Sequence, residues 1–178
     1  TNQAFAGLET RNQAKTFIYA LLYSAGDAKI GKIVGGSSRE GAALKNRFYK
    51  SLPSLLLLTQ MVIKSAQAKL YLKALDGRII HMNKDKVWSS LNTLLQGGGA
   101  IIMKTALVLL DNKIKELKLN ARFVANIHDE WQIEVIEHQA EQVGKLGVEA
   151  LVETATVLNM VCPLDGEYKI GDNWSETH

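Results

Sequence analysis

The chain has 178 residues, 47% of them hydrophobic and 22% charged. That composition excludes disorder throughout and suits one domain or a large piece of a bigger one. The net charge of +3 permits a polyanionic partner without demanding one, and the sole cysteine, Cys162, cannot close an intramolecular disulfide, so a reducing cytoplasm is expected.

Residues 8–23 read as a helix with Thr10 as a possible N-cap, interrupted at Ala25-Gly26-Asp27. A short helical turn is predicted over 28–34. A helix over 39–50 follows, capped by Ser37 or Ser38 after a glycine loop. Pro53 suits the first turn of a long helix reaching about Leu72. The Asp76-Gly77 pair within 75–80 signals a hairpin. A second long helical pattern covers 87–117. Its most apolar run, 100–110, is interrupted by Lys104 and is too short to span a bilayer, so no membrane partner is expected. Residues 122–127 and 131–136 are β-rich and flank His128-Asp129-Glu130, which predicts a hairpin with a polar tip. A helix over 139–158 and a short strand over 168–170 complete the pattern. Helices with a small antiparallel sheet make the fold class α+β.

Three features can carry chemistry. Arg11, Lys15, Tyr19 and Tyr23 recur every fourth residue and so share a helical stripe. Two cations followed by two aromatics suit a nucleotide, the cations on phosphates and a ring on a base. The plainer alternative is a solvated cationic end with two core tyrosines. His128-Asp129-Glu130 is the second feature. Adjacent residues of an extended strand face opposite ways, so Asp129 is the preferred metal ligand and Glu130 the lesser one. The alternative is a merely solvated tip. Asn92 and Gln96, one helical turn apart and followed by Gly97-Gly98-Gly99, form the third. Amides read groove edges of nucleic acid. Each glycine in a helix costs about 1 kcal/mol relative to alanine, which demands either an offsetting close approach or a helix break at Gly97.

In this order the features resemble family A DNA polymerases, and most nearly those of short-tailed bacteriophages. The likeness rests on Arg11 to Tyr19 continued to Tyr23, on Leu75-Asp76-Gly77-Arg78, on Leu91 to Gln96, and on His128-Asp129-Glu130. The ending, Gly171-Asp172-Asn173-Trp174 and His178, also fits. The resemblance implies fingers over residues 1–72 and the C-terminal portion of a palm over 73–178. It implies that Arg11 and Lys15 bind the triphosphate of an incoming dNTP, with Lys15 also protonating the pyrophosphate. Tyr19 would pack on the nucleotide and Tyr23 would sit at the template base. Arg78, Asn92, Gln96 and His128 would contact primer-template DNA. Asp129 would bind catalytic Mg2+, with Glu130 beside it. The implied setting is DNA replication in the cytoplasm of an infected bacterial host.

Departures from the family pattern are equally specific. Ala20 and Ser24 stand where glycines are usual, and Trp88 stands where cellular relatives carry an arginine. The family's first palm motif, with its own metal-binding aspartate, is not found before Arg11. This chain alone is therefore expected not to polymerise DNA and to need an N-terminal polymerase portion. Without that portion an incomplete palm sheet is prone to self-association. Thr1 suits joining by protein splicing, and a truncated start suits it equally. A non-catalytic nucleic-acid-binding or structural module on the same scaffold is the alternative function.

Overall fold

The computed structural model describes residues 2–178; Thr1, weighed above as a splice-junction residue, lies outside them. Internal contacts divide the chain into one unit ending at Leu95 and a second beginning at Gln96. Charge segregates between them. The first carries fourteen Lys and Arg against five Asp and Glu, the second seven against thirteen. The small net charge therefore hides a strongly basic unit and an acidic one.

The first unit opens with α1 (Asn2–Ala6) and α2 (Arg11–Leu22). Thr10 caps α2 through a reciprocal pair with Gln13: the Gln13 amide donates to Thr10 Oγ1 at 3.1 Å, and the Thr10 amide donates to Gln13 Oε1 at 3.2 Å. α3 (Asp27–Ile33) and α4 (Ser38–Ser51) form a tight helical pair. Gly31 lies against the Ser37 carbonyl and Gly41 against the Asp27 carbonyl, approaches that a Cβ would block. Phe17, Leu21, Ile30, Leu44 and Phe48 make the core, with Phe17 and Phe48 edge-to-face at 5.2 Å. Pro53 begins α5 (Pro53–Lys69). That helix ends earlier than its sequence suggests, because Leu70 turns left-handed at φ 55° and the next residues enter a strand. β1 (Tyr71–Lys73) pairs antiparallel with β2 (Ile79–His81) around the Asp76-Gly77 turn, Gly77 at φ 87°. A 3-10 turn over Lys84–Ser89 leads into α6.

α6 (Ser90–Glu116) is one continuous helix, so the three glycines do not break it. Nothing lies within 4 Å of a Cβ built on Gly98 or Gly99. Because the helix runs through them, the stretch Lys84–Glu116 is long and apolar enough by length and composition to cross a bilayer, which corrects the reading from the run 100–110. One face of it joins the core of the second unit: Leu110 and Ile114 pack with Val143 and Ala150 of α7 (Ala140–Val157).

β3 (Ala121–Ile127) and β4 (Glu130–Val135) form the antiparallel hairpin of the second unit, with a bulge between Phe123 and Ala125. Phe123 and Trp131 meet edge-to-face at 6.4 Å over the same core. Past α7 the chain runs without regular structure to α8 (Trp174–Thr177). Residues 168–170 form no strand. Tyr168 instead turns its ring onto Gly144 and donates its hydroxyl to Glu141 Oε1 at 2.7 Å. Side chains rather than a backbone ladder hold this segment.

Candidate active site

The stripe on α2 is real and faces outward. The helix buries Ala14, Phe17, Ala20 and Leu21, which leaves Arg11, Lys15, Tyr19 and Tyr23 on the opposite side. Tyr19 is 49% exposed and Tyr23 47%, so the tyrosines are not core residues. Their rings stand 6.0 Å apart. The side chains of Arg11 and Lys15 make no hydrogen bond or ion pair with another described residue. Two uncommitted cations and two exposed aromatic faces are thus presented along one helix, a surface suited to phosphates and a base.

The end of that helix explains one departure. Ser24 sits at φ 58°, a region that glycine occupies without strain. Ser24 donates its hydroxyl to the carbonyl of Trp88 at 3.3 Å, which ties the α2 terminus to the turn before α6. Trp88 itself is 54% exposed. Ala20 is buried and needs no positive φ.

Arg78 lies on the β1–β2 turn. Its guanidinium is held by Asp76, with Nε 2.7 Å from Oδ2, and that bond keeps the Asp76 carboxyl below its ordinary range. Asn92 and Gln96 both lie on α6. Gln96 is exposed, whereas the Asn92 amide oxygen is buried and has no partner among the described residues.

In the second unit the polar tip is shorter than the sequence suggests. Ile127 pairs with Glu130, so the turn is His128-Asp129 alone and Glu130 is the first residue of β4. His128 takes φ 52° and is exposed, as is Asp129. The Asp129 carboxylate makes no hydrogen bond or ion pair with a described residue. Glu130 is the opposite. Its Oε1 accepts from Gln132 Nε2 at 2.5 Å and from Trp174 Nε1 at 2.9 Å, and its Oε2 lies 2.8 Å from His178 Nδ1. The Gln132 amide, then the His178 ring, hold the Glu130 carboxyl below the ordinary glutamate range. The two neighbouring carboxylates therefore have different environments, one free and one fully engaged.

No group of three or more His, Cys, Asp or Glu among the described residues could enclose a metal. Magnesium does not need such a cage. It retains water and binds one or two carboxylates together with substrate phosphates. Asp129 fits that kind of partial contribution. A cavity of about 820 Å3 runs beside the hairpin, with Asp129 and Trp131 in its wall. Trp131 Nε1 is buried there and unpaired among the described residues. Sequence reasoning placed Trp174 and His178 only within a resembling chain end and missed their bonds to Glu130. No local pattern carried that signal, because the donors come from Trp174 and His178, 44 and 48 residues beyond Glu130.

Residues 3–176 match the family model described as DNA polymerase family A. The chain belongs to DNA polymerase family A. It is 42% identical over 183 residues to the DNA-directed DNA polymerase of Escherichia phage Phieco32, covering 99% of this chain and 30% of that protein. It is 35% identical over 198 residues to the DNA-directed DNA polymerase of Escherichia phage T7, covering 99% of this chain and 28% of that one. The family A chain thus spans less than a third of the length of these curated relatives. Among solved structures it is similar to the POL domain of Pol1 from M. smegmatis in complex with DNA primer-template and dNTP. That likeness has a TM-score of 0.73 at 22% identity, and covers 88% of this chain and 28% of that one. It supports the α+β fold expected from the sequence.

Proposed function

We propose that the chain is the fingers and rear-palm part of a DNA-directed DNA polymerase, which grips dNTP and primer-template and supplies one metal-binding aspartate. The observation that carries this reading is the exposed α2 stripe of two cations and two aromatics, in a chain that family A matches almost end to end. Arg11 and Lys15 bind the triphosphate as fork and point charges respectively. Lys15, an ammonium on that phosphate, also protonates the leaving pyrophosphate. Tyr19 packs on the nucleotide and Tyr23 on the template base. Arg78, Asn92, Gln96 and His128 contact the duplex. Fingers occupy residues 1–72 and palm 73–178.

Asp129 is the residue that would hold Mg2+. The chemistry that the ion supplies when bound is charge neutralisation across attacking and leaving oxygens. One free carboxylate does not position two such ions, so an N-terminal polymerase portion provides the rest of the site. The unpaired Trp131 N–H and the open hairpin support a palm that is completed from elsewhere.

The test is primer extension with Mg2+ and four dNTPs. The chain alone is expected to be inactive, and mixing it with an N-terminal portion of a family A polymerase is expected to restore extension. Asp129→Ala should abolish the restored activity, while Arg11→Ala and Lys15→Ala should raise the KM for dNTP. Robust extension by the chain alone, or none in the mixture, would overturn the proposal.

A further inference from the structure

The two carboxylates at the hairpin tip divide their work. We propose that Glu130 is a positioning residue: it latches the C-terminal helix α8 onto β4 and so fixes the His128-Asp129 turn, and it does not hold metal.

The geometry is that of a clasp. Glu130 and Gln132 are alternate residues of β4 and share one face of the strand. α8 reaches both. Trp174 and His178 bond the two oxygens of Glu130, and Thr177 Oγ1 donates to Gln132 Oε1 at 3.1 Å. Gln132 Nε2 bonds Glu130 in turn, which closes the network. The rings of Trp174 and His178 meet edge-to-face at 6.2 Å, so the two latch residues also brace each other.

The segment that delivers α8 is itself preformed. Glu176 accepts from the Asp172 amide at 2.8 Å and from Asn173 Nδ2 at 2.6 Å. Gly171 lies close against Glu176, in space that a Cβ would fill. Upstream, the Tyr168–Glu141 bond pins the tail to α7. No strand or long helix secures residues 158–173, so these side-chain bonds, together with the Tyr168 ring on Gly144, hold the segment.

The consequence for the turn follows from register. Glu130 closes the two-residue turn by pairing with Ile127, and His128 holds a left-handed conformation within it. Exposed two-residue turns fray readily. Immobilising the Glu130 side chain from the far end of the chain restrains the residue directly after Asp129. With both oxygens of Glu130 occupied, Asp129 is left as the free carboxylate of the pair.

The test compares Glu130→Ala, Glu130→Gln and Trp174→Phe in the whole 178-residue chain. A glutamine keeps an oxygen for the indole and the Gln132 amide, so it should preserve the latch. Hydrogen exchange is read at residues 126–131 and 172–178. Glu130→Ala and Trp174→Phe should each accelerate exchange in both segments, by about tenfold for the loss of one or two such bonds. Glu130→Gln should stay within about threefold of wild type. If Trp174→Phe frees residues 172–178 but leaves 126–131 unchanged, the latch does not position the turn and the proposal fails. A second arm rests on the polymerase reading. In the mixture with the N-terminal portion, Glu130→Gln should retain kcat and Mg2+ dependence, while Glu130→Ala and Trp174→Phe lower kcat with the KM for dNTP unmoved. Inactivity of Glu130→Gln equal to that of Asp129→Asn would assign Glu130 to the metal and overturn the inference. If the wild-type mixture is itself inactive, the polymerase reading fails and the exchange arm still decides the latch.

Discussion

The hydroxyl of Ser24 donates to the backbone carbonyl of Trp88, 64 residues later in the chain. Ser24 holds φ 58° to do so, a region that favours glycine. The bond offsets part of the strain and joins the end of α2 to the turn before α6. Ser24→Val should lower stability by about 1–2 kcal/mol, since a β-branched side chain resists positive φ. Ser24→Gly should be nearly neutral, relief of strain balancing the lost bond. Urea denaturation of the three proteins checks both.

Asp129→Asn should separate folding from function. The side chain is exposed and makes no bond to a described residue, so stability should change by no more than about 0.5 kcal/mol. Extension by the reassembled enzyme should nevertheless be lost. A marked fall in unfolding midpoint would show that Asp129 has a structural partner.

Glycines in the two units should respond oppositely to alanine. Gly41→Ala puts a methyl group into the Asp27 carbonyl and must spread α3 from α4, for a loss of about 1–3 kcal/mol. Gly98→Ala meets nothing within 4 Å and should stabilise α6 by up to about 1 kcal/mol. Gly98 lies on the far side of α6 from Asn92 and Gln96, so the same Gly98→Ala should leave primer-template binding by the reassembled enzyme unchanged. Thermal denaturation and a DNA titration together check both outcomes.

The Phe17–Phe48 contact should dominate the stability of the first unit. Phe17→Ala leaves a cavity beside Phe48 and should cost about 3–5 kcal/mol, enough to unfold that unit near 37 °C. Circular dichroism should report a large loss of helix.

Attachment of the tail should depend on pH in two directions. The Tyr168 hydroxyl, then Lys145, hold the Glu141 carboxyl below its ordinary range, so its contribution is present above the ordinary glutamate value and lost as pH falls through the depressed one. Glu141 pushes the Tyr168 hydroxyl up, so that contribution is complete below the ordinary tyrosine value and lost as pH rises through the elevated one. Hydrogen exchange at 164–170 should therefore be slowest between these limits. Tyr168→Phe should remove both flanks; a profile unchanged by that substitution would exclude the pair as the cause.

Sequence by itself determined the elements whose signal is local. The Thr10 cap, Pro53 at a helix start, the Asp76-Gly77 turn and the β-rich runs around His128-Asp129 each depend on neighbours a few residues away. The spacing of Arg11, Lys15, Tyr19 and Tyr23 likewise fixed a stripe, because helical periodicity is a property of the chain and not of its packing. Only the tertiary structure decided what depends on distant partners. It showed that the tyrosine face looks outward, because Phe17 and Leu21 are claimed by Ile30, Leu44 and Phe48. It showed that three glycines leave α6 intact, and that residues 168–170 are tied by Tyr168 to Glu141 rather than laddered as a strand. It also distinguished Asp129 from Glu130. The two are adjacent in sequence and chemically alike, but one carboxylate is free and the other is held by Trp174 and His178, more than forty residues away. Pattern cannot register a hydrogen bond whose donor arrives from the far end of the chain.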